Sequence, residues 1–285
     1  MTTSRLGIVG SGIMGSGIAE VAAKAGVEVI LRSRQQETAE AMVASLERSL
    51  AKQVERGKLE EQAAKEIAAR VSATDDLHAL HDCDLVLESV VEDLAIKHDL
   101  FTRLDDIVKP EGILATNTST LPIIELAMAT ERPEKVVGIH FFNPAPMMSL
   151  VEVIAPLTAS AETVAAARAF AEACGKDVVE VKDRAGFIVN TLLFPYLNNA
   201  VRMLESGTAN RDDIDTAMKG GCNFPMGPLA LLDLVGLDTS LSILDALYAE
   251  FRDPNYAAMP LLRRMVSAGQ LGRKSGVGFF DYRKK

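Results

Sequence analysis

Positive charge is in deficit in this 285-residue chain: 30 lysines and arginines face 39 acidic residues, a formal net charge of −9. Proteins that hold nucleic acid or anionic membrane through their net charge carry the opposite sign, so neither is an expected partner. An anionic small molecule held by a local basic patch stays open. Cysteine is scarce as well. Cys83, Cys174 and Cys222 are scattered, odd in number and without C-x-x-C spacing, which argues against a disulfide framework and a zinc site. No apolar run approaches the length of a membrane span, and no apolar signal core stands at the N-terminus. The expectation is a soluble protein of a reducing cytoplasm that binds no metal. Repeats and low-complexity segments are also missing. What is present is length and apolar content: 48% hydrophobic residues suffice for one large or two moderate domains with real cores.

Short apolar, largely β-branched runs at 6–9, 28–31, 85–89, 113–116 and 136–139 alternate with helical stretches. That is the βαβ rhythm of a Rossmann-like, doubly wound parallel sheet, an α/β fold. The polar helical stretch 36–70 exceeds what a crossover helix needs. It is expected to project as a helical hairpin that turns at Gly57. Beyond Asp183-Arg184-Ala185-Gly186 the pattern becomes helical, with Leu192, Leu193, Tyr196, Leu197, Ala200, Val201 and Leu204 on one face. A boundary is placed there: residues 1–184 form a dinucleotide-binding domain and 185–285 an all-α C-terminal domain.

The first strand runs into Gly10-Ser11-Gly12-Ile13-Met14-Gly15 and then a helix. In that order, Gly10 permits the tight turn, Gly12 lets the backbone approach a pyrophosphate, and Gly15 lets helix and strand pack closely. The helix N-terminus then offers N–H groups and a positive dipole end to the anion. A tight strand–helix turn without ligand is the alternative. An NAD-type site usually ends its second strand in an acid that takes the ribose 2′-hydroxyl. Here that strand ends in Arg32-Ser33-Arg34, and the nearest downstream acid is Glu37. A hydroxyl flanked by guanidinium groups suits a 2′-phosphate, so Ser33 and Arg34 favour NADP(H), with NAD(H) remaining open.

Three further segments carry chemistry: Ala115-Thr116-Asn117-Thr118-Ser119-Thr120, Gly138-Ile139-His140-Phe141-Phe142-Asn143-Pro144, and Gly186-Phe187-Ile188-Val189-Asn190. Oxidising a secondary alcohol requires a base for the hydroxyl proton, and an imidazole titrates near neutrality. His140 ends one apolar run and Glu152 sits in the next, where a carboxylate could orient the ring and stabilise an imidazolium. Each residue also has a plainer role: a structural histidine, a solvated strand glutamate, Ser119 as the N-cap of a helix starting at Leu121-Pro122, Asn190 as a cross-link between helices.

Together these segments, with Gly272-Arg273-Lys274-Ser275-Gly276 near the C-terminus, resemble the (S)-3-hydroxyacyl-CoA dehydrogenase family, of the bacterial 3-hydroxybutyryl-CoA type, over essentially the whole chain. The resemblance implies reversible oxidation of a short-chain (S)-3-hydroxyacyl-CoA to the 3-oxoacyl-CoA in fatty acid metabolism. It implies that His140 is general base, that Glu152 orients it, and that Ser119 and Asn190 hydrogen-bond the reacting oxygen near Asn143, with the site closing between the domains. It further implies that Glu92, Lys97 and Asn117 lie near the cofactor. Ser49, Lys52 and Arg56 on the hairpin are read toward coenzyme A, although a basic helical pair is more often solvated. The C-terminal domain is expected to complete the site and form a homodimer. Asp212, Asp213 and Asp215 read as a dipole-favoured helix start rather than a cation site. Two other readings remain: a related dehydrogenase acting on an acyl group tethered to a carrier protein, and a non-catalytic, crystallin-like relative.

Overall fold

The computed structural model describes residues 3–283, which divide into two compact units between Asp183 and Arg184. Elements of the first unit run in the order β1 (Arg5–Val9), α1 (Ile13–Lys24), β2 (Glu28–Arg32), α2 (Gln36–Glu55), α3 (Glu61–Ala69), β3 (Val71–Thr74), β4 (Leu85–Glu88), α4 (Leu94–Ile107), β5 (Ile113–Thr116), α5 (Ile123–Ala127), β6 (Val136–Phe141), β7 (Leu150–Ala155), α6 (Ala161–Ala173) and β8 (Asp177–Lys182). Among the described residues the strands form one sheet, ordered β3-β2-β1-β4-β5-β6-β7-β8. Pairing is parallel from β3 through β6, antiparallel between β6 and β7, and parallel again between β7 and β8.

Strand composition explains this layering. Every residue of β4, β5 and β6 is buried, as befits parallel strands covered on both faces. The edge strand β8 buries none of its residues fully, and it carries charges along its length. The order reverses between β1 and β4, so a crevice opens at their carboxyl ends, where doubly wound sheets bind ligands. The two strands not foreseen from sequence, β3 and β8, are short or polar.

The hairpin of α2 and α3 forms, and Gly57 adopts φ 64° at its turn. It does not stand clear of the fold. Ala39, Met42, Leu46 and Leu50 recur at helical spacing and are buried, and the last three join Ile18, Ala22, Ile67 and Val71 in the core.

The second unit is helical: α7 (Val189–Glu205), α8 (Arg211–Cys222), α9 (Pro228–Val235), α10 (Leu237–Phe251) and α11 (Pro260–Ser267). Phe194, Leu197, Val201, Leu229, Leu232, Leu244 and Leu262 form its core. The buried face of α7 is centred on Phe194, Leu197 and Val201. Leu192, expected on that face, is instead 72% exposed. Asp212 and Asp213 lie in the first turn of α8, as expected, where Asn210 caps the Asp213 N–H. Asp215 departs from that reading. It is buried, and its carboxylate accepts from the Leu229 and Ala230 N–H groups at 2.8 and 3.0 Å, capping α9. Among the described residues no helix is long and apolar enough to cross a membrane.

Candidate active site

A cavity of about 540 Å³ occupies the crevice at the carboxyl ends of β1, β2 and β4. Val9–Gly12, Arg32–Arg34 and Ser89–Val91 line it, with Asp99 and Arg103 from α4. Gly10 adopts φ 140°, and a Cβ there would lie 2.2 Å from the Ser89 carbonyl oxygen, so no other residue fits. A Cβ on Gly12 would meet nothing within 4 Å. It would project into open space before the N-terminus of α1, whose cap makes no side-chain hydrogen bond. That is the space a phosphate would fill, so the turn fits a dinucleotide. Ile13 is 79% exposed beside it, Met14 is half-buried, and Gly15 is buried against the Gly10 carbonyl.

Ser33 is buried at the end of β2, its N–H bonded to the Thr74 carbonyl at 3.1 Å, while Arg34 is exposed. A second cavity, about 350 Å³, is lined by Ser11, Ser33, Arg34, Gln35 and Thr38. Arg32, Arg34 and Arg103 gather here, with Asp75, Asp76 and Asp99 close by. Burial and the neighbouring Arg103 and Arg34 hold Arg32 below the ordinary guanidinium value, with Asp75 and Asp76 offsetting part of this.

His140 and Glu152 are directly opposed in the antiparallel β6–β7 register, so both side chains leave the same face of the sheet. His140 Nδ1 lies 2.8 Å from Glu152 Oε2, and both residues are buried. A carboxylate only accepts, so Nδ1 carries the ring proton and Nε2 presents its lone pair. Ser119 Oγ stands 3.1 Å from that Nε2. The Asn117 side chain ties the end of β5 to β6, its Oδ1 accepting from the Phe141 N–H at 2.8 Å. Phe142 packs on the imidazole with ring centroids 4.5 Å apart. Ser119 does not cap a helix. α5 starts at Ile123, and the Asp183 carboxylate accepts from the Ile123 and Ile124 N–H groups at 3.1 and 2.7 Å. Asn190 lies in the first turn of α7 in the second unit, and it is buried.

Glu92 faces the same turn. Its Oε1 accepts from Thr118 Oγ1 and the Ser119 N–H at 2.5 and 2.9 Å. Burial would raise this carboxyl, but the Lys97 charge and these donors outweigh it and hold Glu92 below the ordinary value. Lys97 is 1% exposed, with Nζ against Glu88 Oε1 at 2.9 Å and Glu92 Oε2 at 3.0 Å. Its ammonium is thus enclosed by protein carboxylates. Glu88 escaped the reading of the sequence. The signal was there: one carboxylate closes the otherwise apolar run Leu85–Leu87, and a buried acid needs a partner.

A cavity of about 440 Å³ lies between α1, α2 and the 143–146 segment. Thr38, Ala41, Ser45, Arg48 and Ser49 line it from α2, and Asn143 from the facing segment. Of the basic residues on the hairpin, Arg48 borders this space. Lys52 and Arg56, both exposed, follow Ser49 by about one and two helical turns and do not line it. Met147 and Met148 are exposed.

Comparison with known proteins bears on this arrangement. Residues 5–184 match the family described as 3-hydroxyacyl-CoA dehydrogenase, NAD binding domain, and residues 186–282 match its C-terminal domain. The chain belongs to the 3-hydroxyacyl-CoA dehydrogenase family. It is 48% identical over 280 residues to a 3-hydroxybutyryl-CoA dehydrogenase of Clostridioides difficile, covering 98% of this chain and 100% of that one. Among solved structures, FadB2 of Mycobacterium tuberculosis superimposes with a TM-score of 0.97 at 46% identity, covering 99% and 100% of the two chains. An (S)-3-hydroxybutyryl-CoA dehydrogenase from Ralstonia eutropha gives 0.96 at 40% identity, with the same coverage. As in other members of the dehydrogenase family, the first unit is a nicotinamide-nucleotide-binding domain.

Proposed function

We propose that this protein catalyses the reversible oxidation of short-chain (S)-3-hydroxyacyl-CoA to 3-oxoacyl-CoA, with NADP(H) preferred to NAD(H). The observation that carries the chemistry is the line Ser119 Oγ, His140 Nε2, His140 Nδ1, Glu152 Oε2, with steps of 3.1 and 2.8 Å between the residues. Nicotinamide, when bound, supplies the acceptor for the hydride leaving the carbinol carbon. His140 Nε2 takes the hydroxyl proton as the carbonyl forms, and it returns that proton in the reverse direction. Glu152 keeps the proton on Nδ1 and stabilises the imidazolium that results. Ser119 Oγ hydrogen-bonds the reacting oxygen, and Asn190 is read as its second partner.

Gly10, Gly12, Ile13, Met14 and Gly15 would hold the pyrophosphate. Glu92 and the Asn117 turn would border the nicotinamide ribose, with Lys97 supporting Glu92 from behind. The preference for NADP rests on Ser33 and Arg34 at the end of β2, where a carboxylate would suit NAD, with Arg32 and Arg103 beside them and Asp99 also lining the pocket. Coenzyme A is read onto the Ser49 and Asn143 cavity, with Arg48 in the role first given to Lys52 and Arg56. A second copy of the chain is read onto the open apolar groove of the second unit, lined by Leu192, Leu193, Tyr196, Phe224 and Leu234.

The test is consumption of reduced cofactor with acetoacetyl-CoA, run in parallel with NADPH and NADH. Fast turnover with NADPH is expected, and His140→Ala should lower kcat by about 10²–10⁴-fold while cofactor still binds. Preference for NADH would overturn the role of Ser33 and Arg34. Unchanged turnover in His140→Ala would overturn the assignment of the base.

A further inference from the structure

The turn that carries Ser119 is held by side chains rather than by the sheet. From Thr118 to Leu121, every backbone N–H donates to a hydroxyl or a carboxylate. Thr118 N reaches Thr116 Oγ1 at 3.1 Å, Ser119 N reaches Glu92 Oε1 at 2.9 Å, Thr120 N reaches the same oxygen at 3.3 Å, and Leu121 N reaches Thr118 Oγ1 at 3.0 Å. Both hydroxyls are themselves anchored on glutamates: Thr116 Oγ1 donates to Glu88 Oε2 at 2.7 Å and Thr118 Oγ1 to Glu92 Oε1 at 2.5 Å. The buried Lys97 ammonium bridges those two glutamates. Glu88 is wholly buried and also accepts from the Val90 N–H at 2.6 Å.

We infer that Glu88 is a positioning residue. Through Thr116 on one side and Lys97–Glu92 on the other, it fixes the 117–120 turn and so keeps Ser119 Oγ on His140 Nε2. The inference rests on the reading of Ser119 given above. Glu88 and Lys97 form a wholly buried ion pair, which Glu92 closes from the more open side. Such a unit is stable only while its donors stay in place, and most of those donors belong to the turn or to the Thr116 that precedes it. The turn and the acid cluster therefore specify each other. A catalytic hydroxyl needs placement to within about 0.5 Å, and beyond the Asn117 N–H, which donates to the Glu88 carbonyl at 2.9 Å, the turn has no ladder bond to supply it.

Thr116→Val removes the hydroxyl link, keeps the side-chain shape and leaves all three charges. Glu88→Gln keeps the shape and removes the charge. Each is measured alone and combined with Ser119→Ala, with acetoacetyl-CoA as substrate and fluorescence titration of the reduced cofactor alongside. Each single variant should lose about tenfold in kcat and cost nothing further once Ser119 is alanine, and the titration separates that loss from any change in cofactor Kd. A crystal structure of Thr116→Val should show Ser119 Oγ out of hydrogen-bonding reach of His140 Nε2. Full kcat in both variants, or the same loss in the Ser119→Ala background, would overturn the inference, because the network would then stabilise the fold without setting the serine. Should Glu88→Gln fail to fold, Thr116→Val still decides. Should Ser119→Ala leave turnover intact, the reading of Ser119 falls alone, and the crystallographic position of the hydroxyl tests the positioning role by itself.

Discussion

Glu152 has no exposed surface and faces His140 across an antiparallel pair, so the sheet itself sets the distance between them. On the function proposed above, substrate meets Nε2 and not the glutamate. This separation of roles makes Glu152→Gln informative. The amide either accepts from Nδ1 without charge, leaving the imidazolium unsupported, or turns its NH₂ to the ring and drives the proton onto Nε2. Both lower the basicity available at Nε2. The expected result is a loss in kcat of about 10²–10⁴-fold, with KM for acetoacetyl-CoA and the Kd of the reduced cofactor each within about threefold of the parent. Steady-state kinetics and a fluorescence titration check this. A kcat within about threefold of the parent would remove Glu152 from the mechanism.

Several helices start on caps that their own neighbourhood in sequence announces. Asp93 caps α4 through the Ile96 N–H, and Ser160 caps α6 through the Thr163 N–H. α9 starts differently. Its first N–H groups are taken by Asp215, from the middle of α8, and Gly227 makes room, since a Cβ there would lie 2.2 Å from the Asp215 carboxyl carbon. Asp215→Ala should therefore cost about 2 kcal/mol by leaving buried N–H groups without an acceptor, whereas Asp213→Ala should stay within about 0.5 kcal/mol. Urea denaturation decides: a lower midpoint with unchanged slope for the first and no shift for the second. Equal effects would show that Asp215 acts only through the dipole of α8. This contrast also marks how far the sequence could be read. Strand runs and the glycine turn follow from local pattern, because period and turn chemistry leave few choices, whereas the His140–Glu152 pairing is legible only through the family resemblance. Asp215 and Asp183 as remote caps, Glu88 beneath the Ser119 turn, and Arg48 rather than Lys52 lining the cavity beside α1 depend on which elements fold against each other. No local window holds that information.

The two units answer acid with opposite signs. In the first, burial would raise Asp84, but Lys109 at 2.6 Å and donors from Ser4 and Arg5 draw it well below the ordinary carboxylate range. Glu20, against Lys24, Gln53 and Ser49, is likewise lowered in spite of burial, and Glu92, against Lys97, is lowered too, with less weight because its side chain is 39% exposed. A carboxyl whose folded pKa lies below its unfolded value near 4 adds stability above that value and loses it as the pH falls toward the folded one. In the second unit Asp233 runs the other way. Burial raises it, although the Phe280 and Phe279 N–H groups and the Tyr282 hydroxyl donate to it. Its contribution is complete below the unfolded value and is lost as the pH rises through the folded one, so acid favours its unit. Asp238 beside Lys274 and Asp281 beside Arg283 are lowered too, but at the surface, where solvent screening leaves such pairs little weight. The first unit should accordingly lose structure at a higher pH than the second. The sequence provides the probe: the chain has no tryptophan, and its four tyrosines, Tyr196, Tyr248, Tyr256 and Tyr282, all lie in the second unit. In an acid titration of the full chain, far-UV circular dichroism should begin to fall at least about half a pH unit above the change in tyrosine fluorescence. Coincident transitions would mean that the units unfold as one and that the paired carboxylates of the first do not govern its acid limit.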